Sequence, residues 1–273
     1  MTGERRSEYT RTEGSEVKLL HFIYSRPDLD EIRGNPGKVL DLIEEFEKQY
    51  WFPNVGRTKG EIVIKLIEEH RPRKMIELGG YVGYSAILFG DALRRHGGER
   101  YYSLELNPEF AAVANRLIEL AGLGDFVQTI VGRSDKSLHK LYTSGEISKV
   151  ELLFIDHYKP AYKTDLQLCE ELGLIQPGSV IAADNVLFPG NPPYLQYVRS
   201  TVSEKRQAAQ KATGFSKDGF SEKTLSKYMG QDSAPAFEVV GNPNIVYQST
   251  PIQPEGDPDA IEVTKCVAVE EES

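Results

Sequence analysis

Between Lys74 and Asp184 the chain repeats one pattern: a short apolar run of strand length, then a stretch of helical spacing. The runs are Lys74–Leu78, Tyr101–Leu106, Phe126–Val131, Val150–Ile155 and Val180–Ala183. Between them, Ala86–Arg95, Glu109–Ala121, Asp135–Tyr142 and Lys163–Leu172 read as helices. Strands alternating with helices of this length make βαβ units, with parallel strands and right-handed crossovers. Such a sheet is covered on both faces, so its strands read as nearly continuous apolar runs. After Gly256-Asp257-Pro258 the pattern becomes strict alternation, with Ile261, Val263, Lys265, Val267 and Val269 on successive odd positions. Together with Ile245–Gln248 this predicts an antiparallel hairpin on the sheet edge. The expected fold class is α/β: a doubly wound, mostly parallel seven-stranded sheet with a C-terminal antiparallel hairpin.

Ahead of the repeat, Val17–Ile23 predicts a short amphipathic helix ended by Arg26-Pro27, and Pro36 opens a helix through Phe46. A third helix covers Lys59–His70, after a loop that carries the single tryptophan, Trp51. Residues 1–16 are polar and read as a disordered tail. Residues 17–269 read as a single domain with a polar insertion at 203–236, and residues 270–273 as an acidic tail. Pro189-Gly190-Asn191-Pro192-Pro193 reads as a rigid loop, Tyr194–Val202 as helical and Phe237–Val240 as a short apolar run.

Several function classes are excluded on charge and composition. The net charge is −9, which argues against a nucleic-acid binder, because phosphate binding needs a basic surface. Residues 253–273 alone carry −6 of it, so the body is nearly neutral. Cys169 and Cys266 lack metal-ligand spacing and read as small core residues of a reduced compartment. No stretch reaches the ~18 apolar residues of a membrane span, and residues 1–16 lack the apolar run of a secretory signal. A cytoplasmic protein with a small-molecule substrate is expected, with no membrane or nucleic-acid partner, and a monomer.

The strand ends carry the chemistry. The first strand runs into Gly79-Gly80-Tyr81-Val82-Gly83, and twenty-two residues after Gly83 the second ends at Glu105. Glycines there let the backbone approach a ligand, and an acid at the next strand end accepts ribose hydroxyls. The spacing Gly-x-x-x-Gly lacks the third glycine of the pyrophosphate-binding fingerprint. A nucleoside cofactor without phosphate fits, and S-adenosylmethionine is the expectation, its carboxylate reaching Ser85 and nearby amides. The fourth and fifth runs end in Asp156 and in Asp184-Asn185. Three oxygen donors at neighbouring strand ends, with no thiol, favour Mg2+. Lys159, three residues past Asp156, suits a general base beside such a cation. Trp51 reads either as a core plug or as a wall for a flat ligand.

These stretches together resemble the catechol O-methyltransferases, which are cation-dependent S-adenosylmethionine enzymes with a Rossmann-like methyltransferase fold. The resemblance rests on Trp51, Asn54-Val55-Gly56, Lys59-Gly60, Glu77 through Ser85, Glu105 through Pro108, Asp156 through Lys159, and Ala183 through Val186 with Pro189, Gly190 and Pro192. It implies that Val55, Gly79, Tyr81, Ser85, Glu105, Ser134 and His157 line the cofactor site, with Asp156 and Tyr158 beside them. It implies Mg2+ on Asp156, Asp184 and Asn185, with Lys159 as base. Trp51 and Pro189 would grip the catechol ring, and Lys159 and Asn185 would face its hydroxyls. A late glutamate that meets the second hydroxyl in the family falls on Glu255, with Glu238 as the alternative. Tyr158 stands where the family has tryptophan, and Arg133-Ser134-Asp135 where it has Ala-Ser-Gln.

The expected reaction is methyl transfer from S-adenosylmethionine to a catechol hydroxyl. A cation-dependent O-methyltransferase of another vicinal diol, such as a phenylpropanoid, shares the metal logic and differs in the walls. A nicotinamide-dependent oxidoreductase is disfavoured by the glycine spacing, and a non-catalytic binding protein by the intact oxygen-donor set with Lys159.

Overall fold

A computed structural model describes residues 12–211, 217–220, 222, 225 and 235–271. The chain runs α1 (Ser15–Tyr24), α2 (Leu29–Ile32), α3 (Pro36–Glu47), α4 (Gly56–His70), β1 (Lys74–Leu78), α5 (Tyr84–Arg95), β2 (Arg100–Glu105), α6 (Pro108–Leu120) and β3 (Val127–Val131). It continues through α7 (Ser134–Thr143), β4 (Leu152–Ile155), α8 (Tyr162–Glu171), β5 (Val180–Ala183), α9 (Pro192–Arg199) and α10 (Val202–Ala209), and closes with β6 (Ile245–Ile252) and β7 (Ile261–Val269). The strands form one seven-stranded sheet in the order β3-β2-β1-β4-β5-β7-β6. Only β7 runs against its neighbours β5 and β6. The expected α/β class is the observed one.

Strand alternation divides the core into two layers. Met75, Tyr101, Leu152 and Phe154 face one apolar cluster, closed by Leu19, Val39, Val63, Ile87 and Leu117. Ile76, Tyr102, Leu153 and Ile155 face the other, closed by Leu138, Leu166 and Tyr194. Successive strand side chains point to opposite faces, so an unbroken apolar run serves both layers.

Three helices begin at an Asn-Pro pair. Asn35, Asn107 and Asn191 accept from the amides of Lys38 (3.1 Å), Glu109 (2.8 Å) and Tyr194 (3.3 Å), and the following proline takes the first helical position. The asparagine oxygen satisfies an amide left over at the helix start, and proline has no amide to lose there. At residues 189–193 the rigid loop therefore ends at Asn191, and α9 starts at Pro192. The helical stretch expected to reach Val202 breaks at Ser200-Thr201, because Thr201 and Glu204 form a capping box that starts α10.

Some boundaries differ from the sequence reading. α1 begins at Ser15, so it includes the end of the stretch read as a tail; Glu16 is buried and accepts from Tyr81 Oη at 2.8 Å. Residues 1–11 of that stretch lie outside the described residues, as do 272–273 and much of the 203–236 insertion. The described start of the insertion is α10, where buried Lys205 donates to the carbonyl of Ile245. Phe237–Val240 forms no strand. Both cysteines are buried free thiols.

The topology fixes where a ligand can sit. The strand order reverses between β1 and β4, and at such a switch point the crevice opens at the carboxyl ends of the strands. Beyond those ends the ladder continues by single bonds: Gly79 N to Leu104 O, Asp156 N to Leu78 O and Asp184 N to Ile155 O, each 2.9 Å. Glu105, Gly79, Asp156 and Asp184 thus stand in one row along the edge. β7 is antiparallel, with Glu262 paired to Ala183. It therefore begins where β5 ends, and the residues just before it reach the same edge.

Candidate active site

The row has two halves that meet at β4. On the β1–β2 side, Glu105 is nearly buried and accepts amides on both oxygens, from Tyr81 at 2.8 Å and Asn107 at 2.7 Å. Burial pushes its carboxyl above the ordinary value, opposed by those amides. Gly79 has φ +100°, and a Cβ there would come 2.5 Å from the carbonyl oxygen of Asp156. Glycine is needed at this turn because β1 and β4 press together, which is a packing reason and not by itself a cofactor signal.

The cleft nevertheless suits the expected cofactor. Gly83, the residue before α5, supplies no side-chain cap to the first turn beside buried Ser85, where helix amides favour an anionic group. His157 Nδ1 and Glu77 Oε1 are buried and lack a hydrogen-bond partner among the described residues. Burial pushes Glu77 up to about 7, opposed by hydroxyl neighbours. Val55 is buried where α4 starts, and Ser134, half-buried, opens α7. His157 also makes contacts that the sequence reading did not foresee. Its Nε2 meets Asp165 Oδ2 at 2.7 Å, and its ring stacks on Tyr162 with centroids 5.2 Å apart. Tyr158 next to it is half-buried.

On the β4–β5 side, two lysines meet the two acids. Lys159 Nζ donates to Asp156 Oδ1 at 2.9 Å and to Tyr162 Oη at 2.6 Å. Tyr162 Oη in turn reaches the carbonyl of Asp184 at 3.2 Å. From α4, Lys59 Nζ donates to Asp184 Oδ1 at 2.6 Å and to Asp259 Oδ2 at 3.0 Å. Asn185, at φ +57°, donates through Nδ2 to Asp259 Oδ2 at 2.8 Å. Asparagine tolerates that left-handed backbone better than most residues.

The electrostatics follow from burial. Asp184 is 1% exposed, and burial together with the Asp156 charge pushes its carboxyl up, against the pull of the two lysines. Burial works against the Lys59 charge, but Asp184 and Asp259 outweigh it and hold the ammonium above its usual range. Burial would likewise raise Asp259, but the Phe188 amide and Lys59 hold its carboxyl below the ordinary value.

A hard cation fits this donor set. Lys159 meets Asp156 at Oδ1, and Lys59 and the Asn185 amide meet Asp184 at Oδ1. Asn185 commits its amide nitrogen to Asp259, which turns its carbonyl oxygen away as a donor for a cation. The described residues hold no cluster of three His, Cys, Asp or Glu side chains with metal-site geometry, and the asparagine oxygen would join the two carboxylates as a third donor.

The two residues expected as ring walls lie on loops, Trp51 ahead of α4 and Pro189 between β5 and α9. Trp51 is 41% exposed, which removes the core-plug reading. Pro189 is half-buried beside exposed Leu187 and Phe188. The two acids expected to meet the second hydroxyl are both on the surface. Glu255 is exposed in the β6–β7 turn, and Glu238 is exposed as well. The acid that reaches Asn185 is Asp259, buried, three residues before Glu262. Sequence reasoning assigned no role to Asp259, Lys59 or Tyr162. The signal for Asp259 was available: a strand antiparallel to β5 must begin at the carboxyl edge.

Comparison with known proteins gives a consistent picture. A family model described as O-methyltransferase matches residues 35–208. The catechol O-methyltransferase of Mus musculus is 38% identical over 171 residues, covering 62% of this chain and 64% of that protein. The transmembrane O-methyltransferase of Homo sapiens is 38% identical over 169 residues, covering 61% of this chain and 57% of that protein. The match thus spans less than two thirds of either relative. Among solved structures, an O-methyltransferase from Bacillus cereus in complex with SAH superposes with a TM-score of 0.53 at 19% identity, covering 90% of this chain and 99% of that one. At that identity the likeness is one of fold.

Proposed function

The chain belongs to the O-methyltransferase family, and from that premise we propose that it transfers the methyl group of S-adenosylmethionine to one hydroxyl of a catechol, with Mg2+ as the cation. One observation carries the reading: the glycine turn packs on the backbone of Asp156, so the cofactor cleft and the oxygen-donor shelf share residues 156–159. A methyl donor in one and an acceptor in the other would meet there, and holding two reactants together supplies much of such a rate gain.

When bound, S-adenosylmethionine supplies the methyl group and Mg2+ favours the ionised form of a catechol hydroxyl. The remaining roles belong to the chain. Glu105 accepts the ribose hydroxyls, and Ser85 with the first-turn α5 amides takes the cofactor carboxylate. Gly79, Tyr81 and Val55 wall the cleft, with His157, Tyr158 and Ser134 on the adenine side. Asp156, Asp184 and Asn185 hold the cation. Lys159 receives the hydroxyl proton at Nζ, kept in place by Tyr162. Trp51 and Pro189 orient the ring. Glu255, exposed and four residues from Asp259, has no support as the acid that meets the second hydroxyl.

We take residues 17–269 as one catalytic unit acting as a monomer in the cytoplasm. No helix among the described residues is long and apolar enough to cross a membrane. Calorimetry with S-adenosylhomocysteine and with NAD tests the cofactor, and product analysis with a panel of catechols and caffeoyl derivatives tests the acceptor. Binding of S-adenosylhomocysteine and O-methylated catechols support the reading. Binding of NAD alone, or no methylated product from any vicinal diol, overturns it.

A further inference from the structure

Asp259 has every acceptor site of its carboxylate in use. Oδ1 takes the amides of Leu187 at 3.1 Å and Phe188 at 2.9 Å. Oδ2 takes Asn185 Nδ2 at 2.8 Å and Lys59 Nζ at 3.0 Å. An ionised carboxylate offers about four lone-pair sites, so none is left for a substrate hydroxyl. The residue is 3% exposed, and each of its four partners belongs to the β5–α9 loop or to the lysine that also holds Asp184.

We propose that Asp259 is a positioning residue, which orients Asn185 as a cation donor and sets the Leu187–Pro189 wall against it. The inference rests on the reading of Asp156, Asp184 and Asn185 as the cation site. Gripping the amide by its nitrogen leaves the Asn185 oxygen as the outward acceptor. A free side chain would present nitrogen or oxygen with little preference. The two backbone bonds on Oδ1 tie the loop that carries Pro189 to the same carboxylate. Lys59 completes the arrangement by linking Asp259 to Asp184, so donor orientation and wall position depend on one buried group. Partners that orient metal ligands in this way commonly affect metal affinity 10–100-fold when removed.

The test measures Mn2+ affinity by electron paramagnetic resonance of the free ion, alongside S-adenosylhomocysteine affinity by calorimetry. Asp259→Asn is expected to weaken Mn2+ binding by about 10–100-fold with S-adenosylhomocysteine binding unchanged. Asn185→Asp discriminates further, and serves where Asp259→Asn fails to fold. A carboxylate is ordinarily the better cation ligand, yet here it faces Asp259 and loses the grip, so weaker Mn2+ binding is expected. The double variant Asn185→Asp/Asp259→Asn restores a donor facing an acceptor and is expected to recover most of the loss. Equal Mn2+ affinity in wild type and Asp259→Asn, or tighter binding in Asn185→Asp, overturns the proposal. A wild-type protein that binds no Mn2+ removes the cation-site reading itself.

Discussion

Lys159 donates to the hydroxyl of Tyr162 at 2.6 Å, three residues on and fully buried. The tyrosine ring lies under the lysine head, with Nζ 4.9 Å from its centroid, and also stacks on His157. One buried ring thus fixes both the proposed base and a residue of the cofactor cleft. Tyr162→Phe keeps the ring and removes the hydroxyl. Losing one hydrogen bond to a charged group costs about 1.5–3 kcal/mol, so kcat is expected to fall roughly 10–100-fold. S-adenosylhomocysteine affinity should stay within twofold; a steady-state assay and calorimetry check both.

Lys159→Ala removes the proton acceptor and leaves the cleft lined by Glu105 and Ser85 intact. Methyl transfer is expected to slow by at least ~100-fold, the scale of general base catalysis. Cofactor affinity should change little. Single-turnover rates together with calorimetry separate the two.

Much of this was legible in the sequence, and the limit is physical. Periodicity is local, so the βαβ alternation and the strand ends at Asp156 and Asp184 could be read directly. So could the helix start at Pro36, because a first-turn proline needs only its own turn, whereas Asn191-Pro192 read as part of a rigid loop. The contacts of Lys59 could not: its partners Asp184 and Asp259 lie 125 and 200 residues away. Asp259 meets Asn185 across 74 residues. Those separations close only once the strand order is known, which puts antiparallel β7 beside β5. Glu255, chosen by likeness, is exposed in the β6–β7 turn, and the sheet register brings to the edge Asp259, which had been given no role.

Gly79→Ala tests the contact between the two halves of the site. The position has φ +100° and a Cβ would meet the Asp156 carbonyl at 2.5 Å. Both the left-handed backbone and the collision oppose a side chain. A loss of about 2–4 kcal/mol by urea unfolding is expected, with weaker S-adenosylhomocysteine binding in the protein that folds.

Far from the site, Glu170 accepts from Tyr197 Oη at 2.5 Å, Tyr247 Oη at 2.6 Å and the Asn242 amide at 2.9 Å. Burial raises its carboxyl from 4.5 to about 7, opposed by these bonds. A raised carboxyl favours the protonated form in the fold. Its contribution is therefore full below pH ~4.5 and is lost as pH climbs through ~7, by roughly 3 kcal/mol. Glu170→Gln should give a shallower fall of Tm between pH 5 and pH 8 than wild type; scanning calorimetry across that window measures the slope.

Glu262 is fully buried and paired with Arg199 through two bonds of 2.7 and 2.6 Å. Arg199→Met removes both bonds and leaves the carboxylate accepting from Ser249 Oγ at 2.8 Å. Because the arginine is 42% exposed, the loss should be about 2–3 kcal/mol, below the ~3–5 kcal/mol of a wholly buried pair. Denaturant unfolding reads it.

The most direct test of the central claim compares catechol with a phenol bearing one hydroxyl, in the presence of S-adenosylmethionine and either Mg2+ or excess chelator. If Asp156, Asp184 and Asn185 hold a cation that engages vicinal hydroxyls beside the methyl donor, catechol is methylated only with Mg2+ and the single-hydroxyl phenol is not. Equal methylation of catechol with chelator, or equal rates for the two phenols, would contradict it.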